Sequence, residues 1–361
     1  MNPQLGIMTW GDIAPDPLTG QLPSPSGRLT HVLELARTAE SVGLDIVGVG
    51  EGHGAHRVNQ DPFLLLSALS RVTERIRLSA AASVLTTADP VRIAEQLSLL
   101  SLLSNGRVDL VAGRGALPQD QDLFAVPSHL REEIFEERLD QLLDVLRPGP
   151  SDLLGDFRDH ARDVELPATG RDPRDLVWAA SSGSPRSVLR AAGHGLGVML
   201  NVMEGEWRNL LPYVKAYREA LRGFGDRTSA RVGLAVPALV IPDDAAADPW
   251  RAAVELAHPY LLAGTRTYGA ASPEDPTWTL DEFAAQCAPT GSLVVGGVSE
   301  VVEKLAVLRH ELGLERILLR VDINGLPHDT AIQTVRLLGE QVLPQLREQH
   351  MPGEDPPRLH G

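Results

Sequence analysis

The sequence predicts one α/β domain, a single (β/α)8 (TIM) barrel with insertions after strands 4 and 7. Three observations carry this. Short apolar strand patterns alternate with helical patterns along nearly the whole chain, eight such strands can be counted, and 361 residues suit one large barrel. An open doubly wound sheet is the alternative that the same alternation allows. Each crossover returns the chain to the same edge, so the sheet is expected to be parallel.

The elements follow in order. "LGIMTW" (5–10) reads as the first strand, and "RLTHVLELARTAESVG" (28–43) as a helix stopped by Gly43. "LDIVGVG" (44–50) is strand two, and "DPFLLLSALSRVTE" (61–74) a helix opened by Asp61-Pro62. "RIRLSAAASVL" (75–85) is strand three. "DPVRIAEQLSLLSLLSNG" (89–106) is a helix with an Asn-Gly exit into "RVDLVAGRG" (107–115), strand four. Residues 116–130 read as a loop, "REEIFEERLDQLLDVLR" (131–147) as a helix, and 148–175 as a Pro, Gly and Asp-rich excursion. The alternation resumes with "DLVWAA" (175–180), the helix "SPRSVLRAAGHG" (184–195), "LGVMLN" (196–201) and the helix "EWRNLLPYVKAYREALRG" (206–223). "RVGLAVPALVI" (231–241) is strand seven, followed by the helix 245–262 and a second excursion at 264–292. A helix capped by Ser299, strand eight "RILLRVD" (316–322) and the helix 329–348 close the domain, so that 1–348 form the barrel and 349–361 a disordered tail.

Composition narrows function. Hydrophobic residues at 43% and charged residues at 22% describe a soluble globular chain with ample core. The net charge of -15 and the lack of any basic block disfavour nucleic acid and anionic membrane as partners. No window approaches the roughly 20 apolar residues of a membrane span. "MNPQLGIMTWGDIAP" does not read as a signal peptide, and Cys287, the single cysteine, excludes an internal disulfide, so a cytoplasmic setting is expected.

In a barrel, function gathers just past the C-terminal ends of the strands. "DIVGVGEGHGAH" (45–56) fails the dinucleotide fingerprint: position 53 is His rather than Gly, and the next helix starts only near Asp61. Glu51, His53 and His56 offer metal ligands, but no other strand end supplies a His or carboxylate cluster, and His56 reads more simply as a solvated loop residue. "WAASSGSPRSVLRAAG" (178–193) is a stronger signal. Ser181, Ser182, Gly183 and Ser184 stand between a strand and a Pro-opened helix, which suits a phosphate, with an ordinary serine N-cap as the alternative. Arg114, in "AGRG" past strand four, offers a positive charge to the same anion or to an acidic neighbour.

These residues carry a family resemblance. "GLDIVGVGEGH", the block "RIRLSAAASVLTTADPVRIAEQLSLLSLLSNGRVDLVAGRG", "VWAASSGSPRSVLRAAGHGLGVML" and "GGVSEVVEKL…RILLRVDINGLPHD" resemble the luciferase-like flavin monooxygenase family in order and spacing, from about residue 4 to 347. The resemblance implies a barrel that binds reduced FMN (FMNH2), or in some branches F420, with the flavin ring at the mouth. It places Ala80 and Ala81 behind that ring, with a cis peptide between them, and assigns Arg114, Ser182, Gly183 and Ser184 to the phosphate. Family members commonly read Glu-His-His after strand two, whereas this chain reads Glu51-Gly52-His53. The usual histidine is therefore absent, and His53 is expected either to carry a proton near the flavin or to order the loop. The implied activity is monooxygenation of a small organic substrate with O2 and reduced FMN from a separate NAD(P)H:flavin reductase. F420-dependent hydride transfer and a catalytically altered flavin-binding protein are the alternatives. Trp10, Asn201 and Asn324, at strand ends, are candidates to line the mouth, with core packing (Trp10) and turn formation (the asparagines) as the plainer readings. The loops 116–130 and 264–292 are expected to form the substrate lid, and relatives suggest a homodimer.

Overall fold

A computed structural model describes residues 3–167, 169–223, 230–268 and 278–348. Eleven strands occur among them: β1 (Gln4–Thr9), β2 (Ile46–Val49), β3 (Arg77–Val84), β4 (Val108–Gly113), β5 (Ser151–Leu153), β6 (Ala161–Val164), β7 (Val177–Ser181), β8 (Gly197–Asn201), β9 (Val232–Ile241), β10 (Val294–Gly297) and β11 (Arg316–Arg320). Eight of them pair in parallel in the order β9-β11-β1-β2-β3-β4-β7-β8, and β8 pairs back to β9, which closes the barrel. The fold expected from the alternation is the fold observed.

Three strands lie outside the predicted eight. β5 and β6 form a separate antiparallel hairpin inside the excursion at 148–175. β10 adds to the far half of β9. Residues 232–235 of β9 pair with β8 and 233–237 with β11, whereas 238–241 pair with β10. The partner change falls at Pro237, which has no N–H to give to a ladder.

Helix starts follow local chemistry. Pro25, Pro62, Pro90, Pro185 and Pro249 open the helices Pro25–Ser41, Pro62–Ser70, Pro90–Leu103, Pro185–Gly193 and Pro249–Tyr268, where a missing N–H costs nothing. Asp61 caps the second by accepting the Leu64 N–H, Asp89 the third by accepting from Val91, and Ser184 the fourth by accepting from Ser187. Ser299 is not the cap expected of it. The helix Val298–Leu312 begins two residues earlier, behind Gly297 as its cap, and Ser299 gives both its N–H and its hydroxyl to Asp243.

Strand alternation divides the core in two. Leu5, Ile7, Val47, Val49, Leu78, Ala80, Leu110 and Ala112 face the surrounding helices, while Met8, Ile46, Ala81, Val111, Trp178, Met199, Ala235 and Leu318 fill the barrel. Gly197 gives Trp178 its room: a Cβ there would lie 2.6 Å from the indole. Below, Arg316 holds the buried Asp109 carboxylate through two bonds (3.1 and 2.8 Å), with Ser79 donating a third at 2.5 Å. Burial alone would raise the Asp109 carboxyl, but Arg316, Arg77 and Ser79 outweigh it and hold it below the usual carboxylate range. The closed floor leaves the C-terminal mouth as the place for a ligand. Among the described residues no helix is long and apolar enough to cross a membrane. The tail 349–361 and residues 269–277 lie outside the described residues; the rest of the second excursion is not loop alone, since the preceding helix runs on to Tyr268 and a further helix spans Leu280–Cys287.

Candidate functional site

A cavity of about 230 Å³ opens at the C-terminal ends of the strands. Met8, Val111, Met199, Ala235 and Leu318 make an apolar floor, while Trp10, Gly50, Glu51, Ala81 and Ala82 form one wall. The opposite end is polar, lined by Arg114, Ser181, Ser182, Ser184, Ser187 and Arg190, with Asn201 also present.

Trp10 is positioned from behind. The Arg320 guanidinium lies 4.0 Å from the centre of its ring, and Arg320 in turn is ion-paired with Asp12. Gly50 passes in front of the indole, where a Cβ would come within 2.6 Å of Cδ1 and 3.1 Å of the Ala81 carbonyl oxygen. Asn324, expected beside Trp10, is not at the mouth. It is buried, its Oδ1 accepting from Arg320 and its Nδ2 donating to the Tyr260 carbonyl, each at 3.3 Å. It therefore braces Arg320 rather than facing the cavity.

Glu51 ties two strand ends together. Its N–H donates to the Ala82 carbonyl (2.9 Å), and its Oε2 accepts from Ser83 Oγ (2.9 Å) and Val84 N–H (2.8 Å). The other oxygen meets His53 Nε2 at 3.0 Å. The cis peptide in this wall joins Ala81 to Ala82, one residue beyond the expected Ala80–Ala81 bond. The reason is strand parity. Ala80 pairs with Leu110 and points outward to the helices, so Ala81 and Ala82 reach the cavity, and the β3–β4 register shifts between Ala81 and Ser83.

His53 is not among the cavity-lining residues. Its ring sits edge-on to Phe124 at 4.6 Å and bonds to Glu51, and the Asp120 carboxylate accepts its backbone N–H. Burial raises the Asp120 carboxyl, with Arg57 and His53 offsetting only part of the shift. His53 thus links the Glu51 wall to the segment 117–124. His56 is exposed, as a solvated loop residue is. Arg57 is buried and lies within 3.7 Å of Asp12. A Cβ on Gly52 would lie 2.8 Å from Arg57 Cζ and closer still to Cδ and Nη1. The space beside position 52 is filled by an arginine reaching back from five residues on.

The polar end is a small network. Ser181 Oγ and Ser187 Oγ are 2.6 Å apart, Ser184 Oγ donates to Ser187 Oγ at 2.9 Å, and the Gly183 N–H donates to Ser181 Oγ at 3.1 Å. Gly183 has φ of +86° and does not line the cavity, so it turns the chain and lets the serines converge. Ser184, Ser187 and Arg190 recur every three residues and share one face of the helix Pro185–Gly193. Ser187 and Arg190 escaped the sequence reading, although that spacing is visible in "SPRSVLR". Arg114 lines the cavity while ion-paired with Glu132, which also binds Arg190; Glu136 holds Arg190 (2.8 Å) and Arg186 (2.9 Å). Among the described residues no group of three or more His, Cys, Asp or Glu is placed to hold a metal.

A closed parallel barrel with a cavity at the C-terminal ends of its strands, apolar at its floor and cationic at one end, defines the class as a (β/α)8 barrel with its candidate site at the usual face. The chain belongs to the luciferase-like monooxygenase family, whose model matches residues 4–316. It is 29% identical over 185 residues to N-acetyl-S-alkylcysteine monooxygenase of Bacillus subtilis, covering 50% of this chain and 52% of that one. The match thus spans about half the length of that relative. The solved structure of monooxygenase RslO1 from Streptomyces bottropensis superposes with a TM-score of 0.80 at 22% identity, covering 94% of this chain and 99% of that one. The oxygenating constituent of 3,6-diketocamphane monooxygenase from the CAM plasmid of Pseudomonas putida, in complex with FMN, superposes with a TM-score of 0.75 at 19% identity, covering 98% and 100%.

Proposed function

We propose that the chain is the oxygenase component of a two-component monooxygenase, which takes reduced FMN from a separate NAD(P)H:flavin reductase and uses O2 to oxygenate a small organic substrate. One observation carries this reading: an apolar cavity at the barrel mouth ends in four serines and two arginines. That arrangement suits a planar heterocycle attached to a phosphate. The residues fit the group. Gly50 leaves a flat approach along Trp10 and Ala81, and the hydroxyls of Ser181, Ser184 and Ser187 can turn their protons toward an anion. The Pseudomonas putida protein on which the barrel superposes is an oxygenating constituent in complex with FMN, which supports the cofactor and the division of labour.

Bound reduced flavin supplies the electrons that activate O2. The chain's own contribution is positional. Arg114, Arg190 and the serines would hold the phosphate, Trp10 and the Ala81–Ala82 segment would flank the ring, and the apolar side chains of Met8, Val111, Met199 and Leu318 would exclude water there. Glu51 fixes that wall through Ser83 and Val84, and His53 supports Glu51 from outside the cavity. Asn201 is the polar side chain left to orient a substrate. Leu64, Leu99, Leu102 and Leu103 are exposed on two adjoining helices and give a second copy of the chain an apolar face to cover.

The test is anaerobic titration with reduced FMN and with F420, followed by admission of O2 labelled with ¹⁸O in the presence of candidate substrates. Binding of reduced FMN and transfer of label to an organic product supports the proposal. Preference for F420 moves the chain to hydride transfer, and failure to bind any flavin overturns the cofactor assignment.

A further inference from the structure

We propose that Glu132 is a built-in surrogate anion: it bridges the two cavity arginines and must yield to the ligand's phosphate, so that it keeps flavin binding weak and exchangeable. This rests on the phosphate reading of the polar end.

The two carboxylate oxygens of Glu132 are divided between two elements. One takes Arg114, from the loop after β4, and the other takes Arg190, from the helix Pro185–Gly193. Both arginines line the cavity, so one carboxylate spans the pair of guanidinium groups that a phosphate would span. Arg186 approaches the same carboxylate at 3.7 Å.

Glu132 cannot withdraw by taking a proton under ordinary conditions. Burial alone would raise its carboxyl, but hydrogen bonds from Arg114 and Arg190 hold it below the usual carboxylate range. It can withdraw by moving. Its side chain is 18% exposed, and Glu136 keeps hold of Arg190 at 2.8 Å when Glu132 leaves. A phosphate monoester brings a charge of about -1.5 to -2 and three acceptor oxygens against the single charge of a carboxylate, so it outcompetes Glu132, though at a reduced net affinity. A flavin that is delivered reduced and released oxidised benefits from that weakening, because retention in the oxidised state would block the site.

The experiment is fluorescence titration of wild type, Glu132→Gln and Glu132→Ala with FMN and with riboflavin, which lacks the phosphate, together with inorganic phosphate as a competitor. Removing the resident negative charge is expected to tighten FMN by about tenfold, a modest figure for relief of like-charge repulsion at a partly exposed site. Riboflavin binding should be unchanged, and the inhibition constant of phosphate, corrected for the tighter FMN, should fall in either variant. Weaker or unaltered FMN binding in whichever variant folds overturns the proposal and makes Glu132 a residue that orients the arginines. Failure of the phosphate reading looks different: wild type and Arg190→Ala would then each bind FMN and riboflavin alike.

Discussion

Substituting Gly52→His, which would restore the Glu-His-His pattern of the family, should damage this protein, and the structure says by how much. A Cβ at position 52 already lies 2.8 Å from Arg57 Cζ, and an imidazole extends further into the same volume. Arg57 is buried and faces Asp12 at 3.7 Å, so the histidine has to evict a paired charge rather than nudge a free side chain. Overpacking a filled site costs about 1–3 kcal/mol, and breaking a buried ion pair about 3–5 kcal/mol. Asp12 keeps Arg320, and the displaced guanidinium can reach water, so the net loss is expected to be on the order of 3 kcal/mol. Urea unfolding of wild type, Gly52→His, Arg57→Ala and the double variant measures it as a cycle. In the Arg57→Ala background the histidine should cost less than about 1 kcal/mol, because the volume it needs is empty. Equal cost in both backgrounds, or a single variant within about 0.5 kcal/mol of wild type, would refute the argument.

Other perturbations have defined outcomes. Arg190→Ala removes a charged donor from the phosphate end and should weaken FMN by about 10- to 100-fold, the scale of 1.5–3 kcal/mol for a hydrogen bond to a charged group, with riboflavin unaffected, read by the same titration. Gly50→Ala puts a methyl group 2.6 Å from Trp10 Cδ1 and should abolish flavin binding while the far-ultraviolet circular dichroism stays native. Asp109→Asn leaves Arg316 buried without its counter-charge and should cost about 3–5 kcal/mol at neutral pH. The native Asp109 carboxyl is depressed, so its contribution is fully present above the ordinary value of 3.8 and is lost as pH falls through the lower folded value. The gap between wild type and variant in thermal unfolding should therefore hold from pH 7 down to about pH 4 and close only in stronger acid.

The barrel was legible because its information is local. Pro-opened helices with Asp or Ser caps and apolar strands recur along the chain, and each unit announces itself within about a dozen residues. β10 was missed because "VVGG" is too short and glycine-rich to look like a strand; its warrant lies in β9, whose ten apolar residues outrun what the barrel can pair. The hairpin β5–β6 was missed because "SDL" and "ARDV" carry no apolar face. At the site, local signals singled out Ser182, Ser184 and Arg114, and all three line the cavity. Parity went astray by one residue at Ala80–Ala81, since an irregular β3 does not keep the alternation that a regular strand would. The pairing of Gly52 with Arg57 was not legible at all, because nothing in a loop fixes which side chain folds back on which backbone.

The cavity lies between two groups of charges that look alike in sequence and differ in what they can do. Beside β1 and β11, Arg28, Arg57 and Arg320 meet Asp12 and Asp322, and all five are buried. Beside β4 and β7, Arg114, Arg186 and Arg190 meet Glu132 and Glu136, with side chains from 9% to 58% exposed. In the buried group any exchange of partners would leave a desolvated charge behind, so the group acts as a fixed brace, transmitted to the cavity through Arg320 against Trp10. In the half-exposed group water covers the cost of each exchange, so a carboxylate can give way to a phosphate. Burial rather than residue type therefore separates the charges that position the ring from those that capture the ligand. The same substitution, arginine to alanine, should accordingly lower stability on the first side and lower FMN affinity on the second.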